Sequence, residues 1–353
     1  MADVVVAGAG MAGLVAAARV RELGAEPVVF EKGDRPGGSM VLSSGVVWRY
    51  REWERFRAEC PGGDETLQRL VWERLDDDLA WLESLGAPVV RRETGNPLTT
   101  GLRFDPKGLA DTLAHRADDV RLREPLVELP ETPAILATGG FQGSPGLVRS
   151  YITPEASNLV LRANPWSAGD GLRLALGRGA ERSAGMDEFY GRNLAAAPRI
   201  SAGDFVPLAQ VYARHARVEN LLGESYEAGT WSEIDVVQWT ARQPKARARY
   251  VVPDEALNEQ VGDRTVADAI EAARDAGASV QTREGTTRVE VVAGITTTLG
   301  GIRVDERARA AEELYAAGAD VGGISTGGWS SALAAALVLG KLAAESALED
   351  AVS

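Results

Sequence analysis

Gly8, Gly10 and Gly13 follow the Gly-x-Gly-x-x-Gly spacing between an apolar run, residues 3 to 7, and an Ala-rich segment, Met11 to Leu23, closed by Gly24. Val28 to Phe30 then resumes an apolar strand that ends on Glu31. The order strand, glycine turn, helix, strand predicts a parallel sheet built from the first residues onward. Gly8 permits the tight turn, Gly10 lets a pyrophosphate come close, and Gly13 lets helix and strand pack, while the helix start offers unpaired N–H groups. Glu31 can accept both hydrogen bonds of a ribose that carries no phosphate.

A dinucleotide fingerprint alone does not separate NAD from FAD. Gly37, Gly38 and Ser39 lie just beyond Glu31, and Ser43, Ser44 and Gly45 follow. A strand entry rich in glycine and hydroxyls suits a second pyrophosphate and a ribityl chain, which favours FAD. Residues 134 to 138 form a second short strand running into Gly139 and Gly140, and Gly169, Asp170 and Gly171 open a helix reaching about Gly179. At the far end, Leu314 to Ala316 is strand-like, Gly318 to Gly328 is glycine-rich, and Ser331 to Ala347 predicts a long final helix. The two ends are therefore expected to fold together around one cofactor. The expected organisation is an FAD-binding domain in two parts, 1–185 and 296–353, with an inserted capping or substrate domain at 186–295. The first α/β part also carries an amphipathic helix through Leu70, Val71, Leu75, Leu79 and Leu82 with Asp64 as its cap, in which Trp72 and Trp81 read as core.

Composition narrows the partners. Lys and Arg number 38 against 51 Asp and Glu, a formal charge of -13 over 353 residues, so the overall field repels nucleic acid and anionic lipid. Cys60 is the single cysteine, and His115 and His215 are the only histidines; a disulfide, a Cys-pair redox centre and a metal site are not expected. The chain lacks the pattern of a secretion signal and an apolar run long enough for a membrane span, which makes the cytoplasm the expected location.

The sequence resembles the flavoprotein family of fumarate reductase and succinate dehydrogenase, near tricarballylate dehydrogenase and 3-ketosteroid dehydrogenases. The matching pieces are GAGMAGL at 8–14, EKGDRPGGSMVLSSG at 31–45, ILATGGF at 135–141, GDGLRLALGRGA at 169–180, TTLGGIRVDERAR at 297–309 and LYAAGADVGG at 314–323. The resemblance implies a Rossmann-like, glutathione-reductase-like α/β domain with an α+β cap. It implies that Glu31 holds the adenosine ribose, with Lys32 and Val127 also at the cofactor. Gly38, Ser39, Ser43 and Gly45 would line pyrophosphate and flavin, Thr138 and Gly139 would pass beside the cofactor, and Asp170 would lie near its middle. Ser331 and Leu333 would sit by the pyrimidine edge, with the last helix directing its positive end there. Members with covalent FAD carry a histidine shortly after the second glycine pair. Here Met40 stands there, so non-covalent FAD is expected.

The family pattern breaks where its dicarboxylate chemistry resides. Ser232, in TWSEID, aligns with the arginine that moves the proton, and Ser225 with a second arginine. Thr297 or Thr298 replaces the histidine of an HTMGG-like motif, and no arginine occurs in the glycine stretch 322–328. The resemblance thus implies an FAD-dependent dehydrogenase or reductase acting on an activated carbon–carbon bond of a small, weakly charged substrate, with a separate electron donor or acceptor. An oxygen-using oxidase or hydroxylase, or a flavin-binding protein without turnover, are the alternatives. Replacement proton carriers are sought in Tyr212, His215, Arg214 and Tyr226, with Tyr190 and Arg217 also considered. Tyr190, Tyr212, Tyr226, Trp166, Trp231 and Trp329 are candidate pocket walls. The resemblance also implies a β-meander after a strand at Val120 to Val127, but Leu129 and Pro130 lead almost directly to Ile135.

Overall fold

The computed structural model describes residues 3–227, 230, 232–283 and 285–352. They divide into two units. The first combines Asn164–Glu188 with the chain up to Ser144 and from Thr298 onward; the second combines Pro145–Ala163 with Phe189–Thr297.

The first unit is built on a sheet in the order Arg309–Ala311, Leu314–Ala316, Ala134–Leu136, Val4–Ala7, Pro27–Glu31, Val120–Leu122. Val5 pairs with Val28 on one side and Ala134 on the other, and Leu314 pairs with Ala134, all in parallel. Strands from both ends of the chain therefore meet at the centre. Only the outer hairpin of Arg309–Ala311 with Leu314–Ala316 is antiparallel. Val4, Val6, Ile135 and Leu136 have no exposed surface, as expected of a sheet covered on both faces. A small antiparallel sheet joins Val46–Tyr50, Thr99–Phe104 and Val89–Arg91.

Two helices set the position of the glycine turns. Met11–Glu22 and Ala332–Val352 approach so closely that a Cβ on Gly340 would stand 2.6 Å from the Ala12 carbonyl oxygen. The small residues of both helices allow that contact. Ionic ties hold the last helix from two sides: Arg19 reaches Glu345 at 3.0 Å, Arg74 reaches Glu345 at 2.8 Å, and Lys341 reaches buried Asp78 at 2.7 Å. Arg74 and Asp78 lie on Glu65–Ser84, the expected amphipathic helix, whose cap Asp64 accepts from the Leu67 N–H at 3.0 Å.

The second unit has an antiparallel sheet of Arg217–Asn220, Arg247–Pro253, Thr286–Thr298 and Val280–Arg283, with Val160–Leu161 and Phe189–Ala195 also paired to Thr286–Thr298. Val236 of the helix Glu233–Ala241 and Val266, Ala269, Ile270 and Ala273 of the helix Val266–Asp275 pack with Tyr212, Tyr250, Val289 and Val291 in its core.

Two expectations are corrected. The expected first part, 1–185, gives up Pro145–Ala163 to the second unit. The strand beginning at Val120 stops at Leu122, and among the described residues no strand is found between Leu122 and Ala134. Pro125, Pro130 and Pro133 each remove a ladder donor from that connection. Val127 lies outside any strand and is 63% exposed. Among the described residues no helix is long and apolar enough to cross a membrane, and no group of His, Cys, Asp or Glu is placed to hold a metal ion.

Candidate cofactor site

The three glycines of the first turn serve different needs. At Gly8 the backbone has φ +100°, and a Cβ would lie 2.2 Å from the Ala137 carbonyl oxygen. At Gly13 a Cβ would lie 1.9 Å from the Gly8 carbonyl oxygen. Both are closed positions that only glycine fits. At Gly10 a Cβ would meet nothing within 4 Å. Gly10 is also the cap of Met11–Glu22 and supplies no side chain, so the N–H groups of the first helical turn remain available to an anion. The second glycine pair rests on this turn: Gly37 N–H donates to Ala9 at 2.7 Å, and a Cβ on Gly38 would stand 3.1 Å from Gly10 Cα.

Glu31 is 7% exposed at the end of its strand. Its Oε2 accepts from the Ala9 N–H at 2.7 Å and its Oε1 from the Gly33 N–H at 2.5 Å. Each oxygen keeps lone-pair capacity for a ribose hydroxyl. The carboxylate is thus a clamp on the glycine turn, a role absent from the sequence reading, beside the ribose contact that the resemblance implies. In Glu31→Gln an amide N–H must face one of these backbone N–H groups. We expect a loss of about 1–3 kcal/mol that appears both as weaker FAD binding and as a thermal midpoint lower by a few degrees. Parallel flavin titration and thermal melting check this; weaker binding with an unchanged melt would mean that the clamp contributes nothing.

Lys32 pairs with Asp170 at 2.8 Å across two partly exposed side chains, so each spends its charge on the other. Asp170 opens the helix Asp170–Gly177 after Gly169 in the left-handed region at φ +81°. Thr138 and Gly139 follow the strand Ala134–Leu136 and are held by an acid that the sequence reading passed over. Asp320, 2% exposed, accepts from the Thr138 N–H at 2.5 Å and from the Thr138 hydroxyl at 3.1 Å. It also accepts from the Gly139 N–H, and burial pushes its carboxyl up to about 7. The Thr138 hydroxyl oxygen accepts from Gly171 N–H at 2.9 Å. One acid therefore joins three glycine-rich segments that are distant in sequence.

Ser39 is tied to Asn164, another residue not anticipated, whose side-chain and backbone N–H groups donate to Ser39 Oγ at 2.7 and 3.2 Å. Its own hydroxyl proton remains available as a donor. Ser43 Oγ accepts from Gly45 N–H at 3.1 Å, and Gly45 packs so tightly that a Cβ would lie 2.2 Å from the Phe104 carbonyl oxygen. Ser331 caps the last helix by accepting from Ala334 N–H at 3.2 Å, with Leu333 half-buried in the first turn. The glycine stretch before it is pinned from the side: Gly62 N–H donates to Thr326, Asp64 N–H to Gly323, and buried Gln68 Nε2 to Ile324, at 3.1, 2.7 and 2.7 Å.

The residues standing where the family carries cations have local duties. Ser232 caps the helix Glu233–Ala241 by accepting from Ile234 N–H at 3.3 Å, and exposed Ser225 bridges to Glu219 through its backbone. Thr298 is buried against the second glycine of the ATGG turn, where a Gly140 Cβ would stand 2.2 Å from its Oγ1. Thr297 is half-buried.

Among the candidate proton carriers, Tyr212 is corrected to a core residue. It has no exposed surface, donates to Gln210 Oε1 at 2.7 Å, stacks edge-on with Tyr250 at 5.4 Å, and burial raises its phenol well above the usual range. Tyr226 is 8% exposed, donates to the Thr230 carbonyl at 3.2 Å and is pushed up to about 12 by burial. Arg217 is paired with Glu219 at 2.5 Å. Arg214 is exposed and His215 half-buried on the single turn Ala213–His215. Of the aromatic candidates, Trp166 packs on Gly33 beneath Arg35, whose guanidinium lies 5.2 Å from the ring centre, and half-buried Trp329 accepts from the Tyr50 hydroxyl at 2.9 Å. Trp231 lies outside the described residues.

The donor set fits FAD: an open glycine at a helix start, a buried carboxylate with spare lone pairs, a second glycine pair and a capped final helix. The model of the FAD binding domain matches residues 3–132 and 127–331. A flavocytochrome c3 fumarate reductase in an open conformation shares 20% identity at a TM-score of 0.74, covering 100% of this chain and 79% of its own. The 3-ketosteroid-Δ4-(5α)-dehydrogenase of Rhodococcus jostii RHA1 shares 18% at 0.71, covering 98% and 96%. A point variant of the FrdA subunit of quinol fumarate reductase from E. coli shares 16% at 0.65, covering 100% and 70%. No curated protein sequence matches the chain. With the family model spanning nearly the whole chain and the glycine turns, Glu31 and the sheet order in place, the protein belongs to the FAD-binding domain family of flavoprotein oxidoreductases.

Proposed function

We propose that this protein is an FAD-dependent dehydrogenase or reductase that passes a hydride between flavin and an activated carbon–carbon bond of a small, weakly charged organic molecule. In this reading it holds FAD non-covalently, works in the cytoplasm with a separate electron donor or acceptor, and is not a fumarate reductase. The carrying observation is that Ser225, Ser232, Thr297 or Thr298, and an arginine-free stretch 322–328 stand where the resemblance expects arginines and a histidine. Each lost charge-assisted bond to a carboxylate costs about 1.5–3 kcal/mol. A dicarboxylate would surrender hydration on both ends for few cationic donors. The fold itself does not demand a dicarboxylate, since the Rhodococcus enzyme is described in complex with the neutral 4-androstene-3,17-dione.

Bound FAD supplies hydride transfer. The protein's own groups do the rest. The open N–H groups after Gly10 and the spare lone pairs of Glu31 bind the dinucleotide. The capped start of Ala332–Val352 would offer its positive helix end to the charge of reduced flavin, as the resemblance implies. Of the four leading carrier candidates, Arg214 and His215 are the two that are not buried, and they remain to move a proton.

The holoprotein tests this reading in two steps. Acid precipitation should leave yellow cofactor in the supernatant, and anaerobic mixing should bleach the 450 nm flavin band faster with saturated ketones or acyl esters than with succinate. Flavin retained in the pellet, or rapid bleaching by millimolar succinate, would overturn it.

A further inference from the structure

Two arginines of the second unit, Arg162 and Arg192, form no ion pair among the described residues. Arg162 follows the strand Val160–Leu161 and donates its N–H to Ile295 at 2.8 Å. Its side chain lies over Gly294, where a Cβ would stand 2.7 Å from Arg162 Cδ, so the glycine makes the space that the arginine fills. One end of the guanidinium donates to Thr296 Oγ1 at 2.7 Å and the other to the Phe205 carbonyl at 3.3 Å. Its Nε is buried with no hydrogen-bond partner.

Arg192 stands two residues after Tyr190 on Phe189–Ala195, which pairs with the same central strand, so both side chains point to one face. Its guanidinium lies 4.7 Å from the Tyr190 ring centre and donates to Gly191 at 2.9 Å. Burial lowers the pKa of Arg162 and the nearby charge of Arg192 lowers it further, while Tyr190 opposes. Among the described residues neither arginine forms an ion pair. The acid that feels Arg192 is Glu233, which is spent on Ala213 N–H at 3.0 Å and is itself pushed up to about 7 by burial.

The two arginines meet at Gly294, where a Cβ would stand 2.7 Å from Arg162 Cδ and 3.1 Å from the Arg192 carbonyl oxygen, and desolvating two like charges that no ion pair offsets is costly. Arg162, Tyr190, Arg192 and Thr296 are all half-buried, so the cluster is desolvated without being closed. We propose that this cluster binds the carboxylate of a small organic monoanion, which gives the substrate of the proposed reaction one acidic end. Guanidinium forks match the two oxygens of a carboxylate, and the Thr296 hydroxyl already takes part in the same network. The inference rests on the proposed function for the word substrate only; the binding site stands without redox chemistry.

Crotonate, a monocarboxylate with an activated double bond, is the probe, and its neutral isostere crotonamide is the control. Calorimetry on the FAD-loaded protein should find crotonate bound at least about tenfold more tightly than crotonamide, the scale of one charge-assisted bond. Arg192→Gln should abolish that preference, and Arg192→Lys should keep part of it. Arg192 is the residue to vary, because Arg162 also ties Phe205 to the sheet. Equal binding of crotonate and crotonamide, or an unchanged preference in a folded Arg192→Gln protein, would overturn the proposal. Calorimetry reads no electron transfer. A protein that binds crotonate but shows no flavin bleaching with any donor would therefore overturn the proposed function and leave this site standing.

Discussion

Gly10→Ala should give a protein that folds as well as the parent and no longer retains FAD, whereas Gly13→Ala should lose both stability and cofactor. Gly10 has φ -75° and a Cβ there meets no protein atom within 4 Å, so the backbone accepts alanine without strain. The methyl group would fill space that the dinucleotide reading assigns to a pyrophosphate. At Gly13 the methyl would stand 1.9 Å from the Gly8 carbonyl oxygen and 3.2 Å from Val6 Cγ1. The first neighbour is backbone and has no rotamer with which to escape. Helix and strand must separate, at an overpacking cost of about 1–3 kcal/mol that the roughly 1 kcal/mol helix preference of alanine over glycine offsets only in part. Thermal melting and titration with FAD separate the two effects. For Gly10→Ala we expect affinity to fall on the order of 100-fold, about 3 kcal/mol, with the apoprotein melt unchanged. Undiminished FAD affinity in Gly10→Ala would show that the open space at Gly10 is not where the cofactor passes.

These glycines were legible in the sequence because their constraint is local: the reason for each lies within one strand, one turn and one helix. Glu31 was half legible. Its place at the strand end made it the candidate ribose acceptor, but its clamp on Ala9 and Gly33 depends on how the turn curls back. Asp320 and Asn164 were not legible, because Asp320 holds Thr138 and Asn164 holds Ser39 across long sequence separations. Their one visible trace is a polar residue beside a glycine-rich segment, which many surface turns share. The strand expected to run to Val127 ends at Leu122, in a connection that three prolines interrupt. Tyr212 was offered as a carrier by the resemblance alone, while the strand Arg247–Pro253 brings Tyr250 against it and both are fully buried. Ser232 shows the opposite lesson: a position that the resemblance reads as a lost arginine is, locally, an ordinary helix cap.

Asp320→Ala should be among the most damaging single changes outside the glycine turns, and Asp320→Asn should be far milder at neutral pH. In the alanine variant the Thr138 and Gly139 N–H groups lose their acceptor in a buried site, and the Thr138 hydroxyl loses a partner. Each stranded donor costs about 1–3 kcal/mol, so a total near 4 kcal/mol and loss of FAD binding are expected. Asparagine keeps an oxygen for Thr138 N–H and can turn its amide toward the Thr138 oxygen, which is able to accept. The pair also carries a pH signature. Burial raises the Asp320 carboxyl to about 7, above its unfolded value near 4. Between those values the folded protein binds a proton that the unfolded chain does not, so this group's contribution is fully present below about pH 4 and is lost as pH rises to about 7. Asparagine does not titrate and lacks that loss. Glu233 is raised to about 7 by its own burial and slopes the same way in both proteins, so only the difference between them reports on Asp320. The urea midpoint of the parent should fall relative to that of Asp320→Asn as pH is raised from 5 to 7.5 with FAD held in excess. Parallel midpoints across that range would mean that Asp320 is already ionised at pH 5 and that its hydrogen bonds outweigh its burial.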